Sequence, residues 1–160
     1  MSLQQLYASF DKCPITVHEP HSLTGKADRD FGSTAKRLEH LSRIIQYNHK
    51  DLAHSTMWDS VSSNIRAWND MLPVACTRDE LASNIETNHM CQPDYHTEII
   101  NVSSSIDEVH GRATVFLHLM VLGLSCGHTR EAIASFHWER RQGQWLCIKL
   151  VAFRGPAGFS

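Results

Sequence analysis

The feature that most limits what this chain can fold into is a change of hydrophobic period at Pro93. Before it, apolar residues recur three and four apart; after it, they alternate. Leu38, Leu41, Ile45, Asn48 and Leu52 fall on one helical face, so 34–57 reads as helix. Ser33 or Thr34 is its N-cap, and Asn48-His49-Lys50 marks a break within it. A short strand is expected over 63–69, ended by Met71-Leu72-Pro73. Thr77-Arg78-Asp79-Glu80 has the form of a capping box, in which hydroxyl and carboxylate each take an orphan backbone N–H. A second helix should follow, to about His89.

Beyond Pro93, segments 95–103, 108–121, 129–140 and 145–154 are rich in β-branched and aromatic residues and read as strands. The links 104–107, 123–128 and 141–143 read as hairpin turns, the last tight and glycine-containing. Helices followed by a meander make an α+β fold. We expect a cone-shaped, curved antiparallel sheet of about four to six strands, wrapped by about three N-terminal helices and enclosing a pocket.

A length of 160 residues fits one domain. Residues 1–31, polar and broken by Pro14 and Pro20, form an arm; 32–160 form the domain. Fifteen Lys+Arg balance seventeen Asp+Glu without a basic run, which argues against nucleic acid and anionic membrane as partners. The apolar stretch 113–124 contains Thr114 and His118 and is too short to span a membrane. No signal peptide is read, and five scattered cysteines suggest reduced thiols and a cytoplasmic location. Cys126-Gly127-His128 has no second pair at metal-site spacing, so neither a metal nor another cofactor is expected.

Alternation groups Glu131, Ile133, Ser135 and His137 on one face of their strand, and Arg130, Ala132, Ala134, Phe136 and Trp138 on the other. If the first row lines the cone, desolvation would raise the Glu131 pKa and suit it to proton transfer. If it faces water, Glu131 is an ordinary surface carboxylate. His96, early in its strand, is a candidate acid or base. On the long strand, His110, Arg112, Thr114, Phe116, His118 and Met120 form one row, and Gly111, Ala113, Val115, Leu117, Leu119 and Val121 the other. The apolar row either packs under the helices or faces a subunit. Tyr47 and Asn48 lie near the end of the first helix, and Asn48 shares its apolar stripe. A buried amide needs partners, and a ligand can be one. Trp68 reads by default as core.

Three segments together resemble the SnoaL-like, nuclear transport factor 2-like superfamily, with scytalone dehydratase-type enzymes closest in texture. They are Ser135-Phe136-His137-Trp138-Glu139-Arg140-Arg141 with Gly143 and Trp145, then Tyr47-Asn48-His49-Lys50-Asp51, and Asp107-Glu108-Val109-His110-Gly111. The resemblance implies an α+β cone with a catalytic pocket. The dehydratase tyrosine falls on Tyr47, its aspartate on Asn48, a second tyrosine on Trp68, a histidine on His96 and an asparagine on Ser135. A second histidine falls on Leu119, or on His118 after a one-residue slip. This register turns Glu131 inward. Relatives of this kind catalyse dehydrations, isomerisations and cyclisations of natural-product intermediates.

The expected activity is therefore a cofactor-independent isomerase, cyclase or dehydratase for a polycyclic or aromatic natural-product intermediate. His96 and Glu131 would divide the acid and base roles. Tyr47, with Ser135 or Asn48, would orient a substrate oxygen, and Trp68, Phe116 and His118 would shape the pocket. A homo-oligomer, with a dimer favoured, would pack sheet on sheet. The rival reading is a non-catalytic ligand- or protein-binding module of the same fold, favoured if the pocket is filled by the chain's own side chains and His96 and Glu131 are exposed.

Overall fold

The computed structural model of the chain describes residues 32–47, 56–69, 72–123, 127 and 129–155. Helix α1 spans Thr34–Tyr47, and a 3-10 turn covers Thr56–Ser60. Strands β1 (Val61–Asn69) and β2 (Leu72–Ala75) precede helix α2 (Arg78–Cys91). The meander follows as β3 (His96–Asp107), β4 (Arg112–Leu122), β5 (Arg130–Arg141) and β6 (Gln144–Arg154). The described residues thus form an α+β unit with two α-helices. The arm 1–31 and the break expected at 48–50 lie outside the described residues. No helix among those described is long and apolar enough to cross a membrane.

The helix starts follow the local chemistry. Ser33 Oγ accepts the Lys36 N–H at 3.3 Å, which makes Ser33 the cap of α1. At α2, Thr77 Oγ1 accepts the Glu80 N–H at 3.1 Å, as its sequence predicts. The Glu80 carboxylate reaches one residue further back than in a simple box, taking the Cys76 N–H at 2.7 Å.

The six strands form one sheet in the order β2-β1-β6-β5-β4-β3. Strands β3 to β6 are an antiparallel meander, but β1 runs parallel to β6, so the sheet is mixed rather than wholly antiparallel. Hairpin links force opposite directions, whereas the long excursion through α2 and the meander leaves β6 free to return alongside β1. The β3–β4 turn falls at 108–111, not at 104–107. Ser104 and Ser105 stay in the ladder, opposite Val115 and Thr114. The chain reverses where Asp107 Oδ1 accepts the His110 N–H at 3.0 Å and Gly111 takes a φ of 61°. At the β5–β6 turn, Gln142 and Gly143 both have positive φ, as a tight hairpin matched to strand twist demands.

The open question about the long strand has a clear answer. Ala113, Val115, Leu117, Leu119 and Val121 of β4 are buried, together with Ala132, Ala134, Phe136 and Trp138 of β5. They belong to one core cluster with Leu38, Leu41 and Ile45 of α1. The apolar row offered as a possible subunit face is therefore the helix-covered face. Burying each such Leu or Phe side chain contributes about 1.5–3 kcal/mol.

Three hydrogen bonds set the helix on this face. Ser104 Oγ donates to Glu39 Oε1 at 2.5 Å, buried Trp138 Nε1–H donates to Ser42 Oγ at 3.1 Å, and Gln46 Nε2 donates to Thr97 Oγ1 at 3.2 Å. Residues 39, 42 and 46 share one helical stripe. Their order against 104 and 97 shows that α1 runs opposite to β3 and finishes over its start. Among the described residues Cys91 and Cys147 are free thiols, but Cys76 is disulfide-bonded, against the expectation of reduced thiols throughout.

Candidate functional site

Strand pleating sorts the candidate residues onto two faces of the sheet. The partners Met120↔Glu131, His118↔Ile133, Phe116↔Ser135 and Thr114↔His137 belong to the row that alternates with the core. Ser135↔Val151 and Ile133↔Phe153 extend it onto β6, and Trp68↔Val151 onto β1. Asn101↔His118 and Ser103↔Phe116 extend it onto β3, and His96↔Leu122 ends it. So His96, Trp68, Phe116, His118, Glu131 and Ser135 all lie on one face, and it is the face away from α1. The expectation that Glu131, Ser135, Phe116 and His118 line the helix-covered cone is corrected by this register. With Val115, Leu117, Ala134 and Phe136 pointing under α1, their neighbours in sequence must point the other way.

The outward residues are in contact with one another. His118 Nε2–H donates to Glu131 Oε2 at 3.1 Å, with side-chain exposures of 39% and 61%. The apolar enclosure expected around Glu131 is not there. His96 is exposed, and its Nδ1 lies 2.9 Å from Asp94 O. A carbonyl only accepts, so Nδ1–H is the donor in this contact. His96 and Glu131 sit two strands apart, roughly 10 Å, so they do not share one small substrate atom. Trp68, expected in the core, is half-buried against Phe153, with ring centroids 4.8 Å apart and tilted by 52°.

His137 is a residue that sequence reasoning placed in this row but did not select. Its Nε2 lies 3.2 Å from Ser135 Oγ and its Nδ1 3.4 Å from Thr114 Oγ1. Burial, and secondarily the Lys149 charge, hold its pKa below the usual histidine value. It is a neutral imidazole between two hydroxyls. The alternation that placed Ser135 and His137 two apart was the available signal.

The helix-covered face is apolar over much of its area, with polar pairs at Ser104–Glu39, at Trp138–Ser42 and, where α1 finishes, at Gln46–Thr97. The last of these lies over the beginning of β3, and Arg130, at the beginning of β5, is two strands along through Val121. Thr97, buried, receives the Gln46 amide. Val121 pairs with Thr97 on one side and with Arg130 on the other. Arg130 continues the inward row of β5; its Nε is closed to solvent and has no hydrogen-bond partner. Tyr47 is the last residue of α1, directly after Gln46. The Tyr47 side chain and Asn48 lie outside the described residues, so the structure does not bring them to any other candidate. Among the described residues no group of three or more His, Cys, Asp or Glu side chains could hold a metal ion.

No protein-family model matches the chain, and no curated protein sequence matches it. Solved structures do. An NTF2-like protein with a cystatin-like fold from Novosphingobium aromaticivorans is 12% identical, with a TM-score of 0.61, over 98% of this chain and 92% of that one. A candidate ketosteroid isomerase from Parabacteroides distasonis is 11% identical, with a TM-score of 0.61, over 80% and 93%. A candidate polyketide cyclase from Xanthomonas campestris is 14% identical, with a TM-score of 0.53, over 77% and 93%. The likeness is one of fold and does not single out the scytalone dehydratase type. The mixed sheet with its helix laid along β3 is the cystatin-like, NTF2-like fold.

Proposed function

We propose that the chain is a cofactor-independent isomerase or cyclase acting on a polycyclic or aromatic natural-product intermediate. The substrate enters the helix-covered face where α1 finishes, over the beginning of β3 and toward that of β5. The observation that carries this reading is the placement of Gln46 and Thr97. They are a hydrogen-bonded polar pair at one end of the helix-covered face, where an apolar ring system would be buried against the core and its oxygen would compete for their hydrogen bond. Likeness of fold to proteins named as a ketosteroid isomerase and a polyketide cyclase supports the class of reaction. Tyr47 keeps its proposed substrate-orienting role, because α1 ends with it. Acid–base roles for His96 and Glu131 would need a ligand on the outward face, where both are exposed to water.

The test is a titration of the isotope-labelled chain with a fused-ring ketone, α-tetralone, followed by backbone amide shifts. Shifts clustered at Gln46, Thr97 and Val121, reduced about tenfold in affinity by Thr97→Val, are expected. Shifts clustered at Phe116, Ile133 and Ser135 would instead move the site to the outward face and end this reading.

A second reading has its own observation. Phe116 and Ile133 are 43% and 53% exposed at the centre of the outward face. Glu98 and Glu131 flank Met120 toward one end of that face, and Arg66 and Lys149 are neighbours toward the other. A second copy turned by a two-fold axis through the centre would lay acidic end on basic end and apolar centre on apolar centre. We propose this face as the homodimer surface.

A further inference from the structure

One arginine of the inward row, the partly buried Arg130, has an Nε with no hydrogen-bond partner among the described residues. Arg140 has Glu108 at 3.0 Å, Arg141 has Glu139 at 3.0 Å, and Arg78 donates to the carbonyls of Trp58 and Val61 at 3.3 Å. Arg43 and Arg112 are exposed to water. Arg130 differs from all of these. It follows the core row of β5, beside buried Val121, with an Nε sealed from solvent and no acceptor among the described residues. A guanidinium does not give up its proton to escape such a position. Relief comes only from an acceptor, and the group that matches a planar fork of N–H donors best is a carboxylate or another delocalised oxyanion. The face leading to it is apolar over much of its area, and the polar groups where α1 finishes, Gln46 and Thr97, already bond to each other.

We infer that Arg130 is the anion-binding residue of the site, and that the natural ligand is an apolar ring system bearing a carboxylate or an enolisable oxygen. This inference rests on the proposed ligand site and adds its substrate class. For an isomerase or cyclase it also gives Arg130 a role in the reaction. Negative charge that develops on a carbonyl oxygen during enolisation would meet a fixed cation in a site of low polarity, where such contacts are worth most.

The test uses the full chain and three probes of one skeleton: 2-naphthoate, 2-naphthol and the neutral 2-naphthamide. The Arg130 Nε–H resonance of the unsubstituted chain is followed directly, and affinities are measured by calorimetry. The expected result is a shift of that resonance with 2-naphthoate and at least a tenfold preference for it over 2-naphthamide. The preference should drop below threefold in Arg130→Met and be partly kept in Arg130→Lys. Arg130→Met should melt no lower than the parent, since it removes an unsatisfied donor. A lower melting temperature with unchanged preference would show a structural arginine and overturn the inference. Equal binding of 2-naphthoate and 2-naphthamide, with no Nε–H shift, would overturn it while leaving the ligand site standing. Failure of all three probes to bind would remove both.

Discussion

His137 shows how a single side chain records its surroundings. Its ring lies half-buried between Thr114 and Ser135, and burial, helped by Lys149, lowers its pKa. The folded chain therefore takes up a proton there less readily than the unfolded chain. Stability is full above the ordinary histidine value of about 6.5 and is lost progressively as pH falls from there to the lowered folded value. His137→Gln should flatten this loss, read as the change in urea midpoint between pH ~7 and ~5. Parallel profiles for parent and variant would contradict the assignment. Cys147 gives a second residue-scale expectation. Complete burial pushes its thiol up to about 12, and its Sγ lies 3.7 Å from Lys149 O. Iodoacetamide should label exposed Cys91 in the native chain and reach Cys147 only after unfolding. Labelling of both at equal rates would show that the β6 core opens readily.

Secondary structure was legible where one local interaction decides it. The Thr77 cap, the Ser33 cap and the Gln142-Gly143 turn are all written in short-range chemistry. One expectation that failed was the turn at 104–107; another was the strand end read at Met71-Leu72-Pro73, where β2 lies. Two serines look like turn residues, but Ser104 is held in the ladder and bonded to Glu39 of α1, a contact 65 positions away. Gly123 shows a local residue answering to a distant constraint. It ends β4 with a φ of 73°, and a Cβ there would sit 1.8 Å from Asp94 O. Gly123→Ala should therefore push the end of β4 off the start of β3 and destabilise the chain by about 1–3 kcal/mol, measured by denaturant unfolding. A change within ~0.5 kcal/mol would show that the β3 start yields without cost.

At the scale of the whole molecule, the sheet divides the chain into a covered face and an outward one. The proposed homodimer surface makes a distinct prediction. Phe116→Glu together with Ile133→Glu should shift the chain to monomer in sedimentation without unfolding it, because neither residue is in the core. Lys149→Glu should weaken the dimer, and adding Glu131→Lys to it should restore much of the loss by exchanging the two charged ends. A monomeric parent, or a dimer indifferent to all four substitutions, would remove the surface.

The sequence by itself determined most of the order of elements, β2 apart, the alternation of rows in β4 and β5 and the α+β class, because these follow from periodicity and from caps and turns that act over a few residues. It did not determine which row faces the helices. Both rows of β4 and β5 alternate equally well, and the choice is made by α1, whose Leu38, Leu41 and Ile45 need apolar partners and whose Ser42 meets Trp138 across 96 positions. Once that face is chosen, pleating sends Glu131, Ser135 and His118 outward and Arg130 inward, which reverses the expected site. The direction of a strand's side chains is a property of what packs on the sheet, and only the tertiary structure contains it.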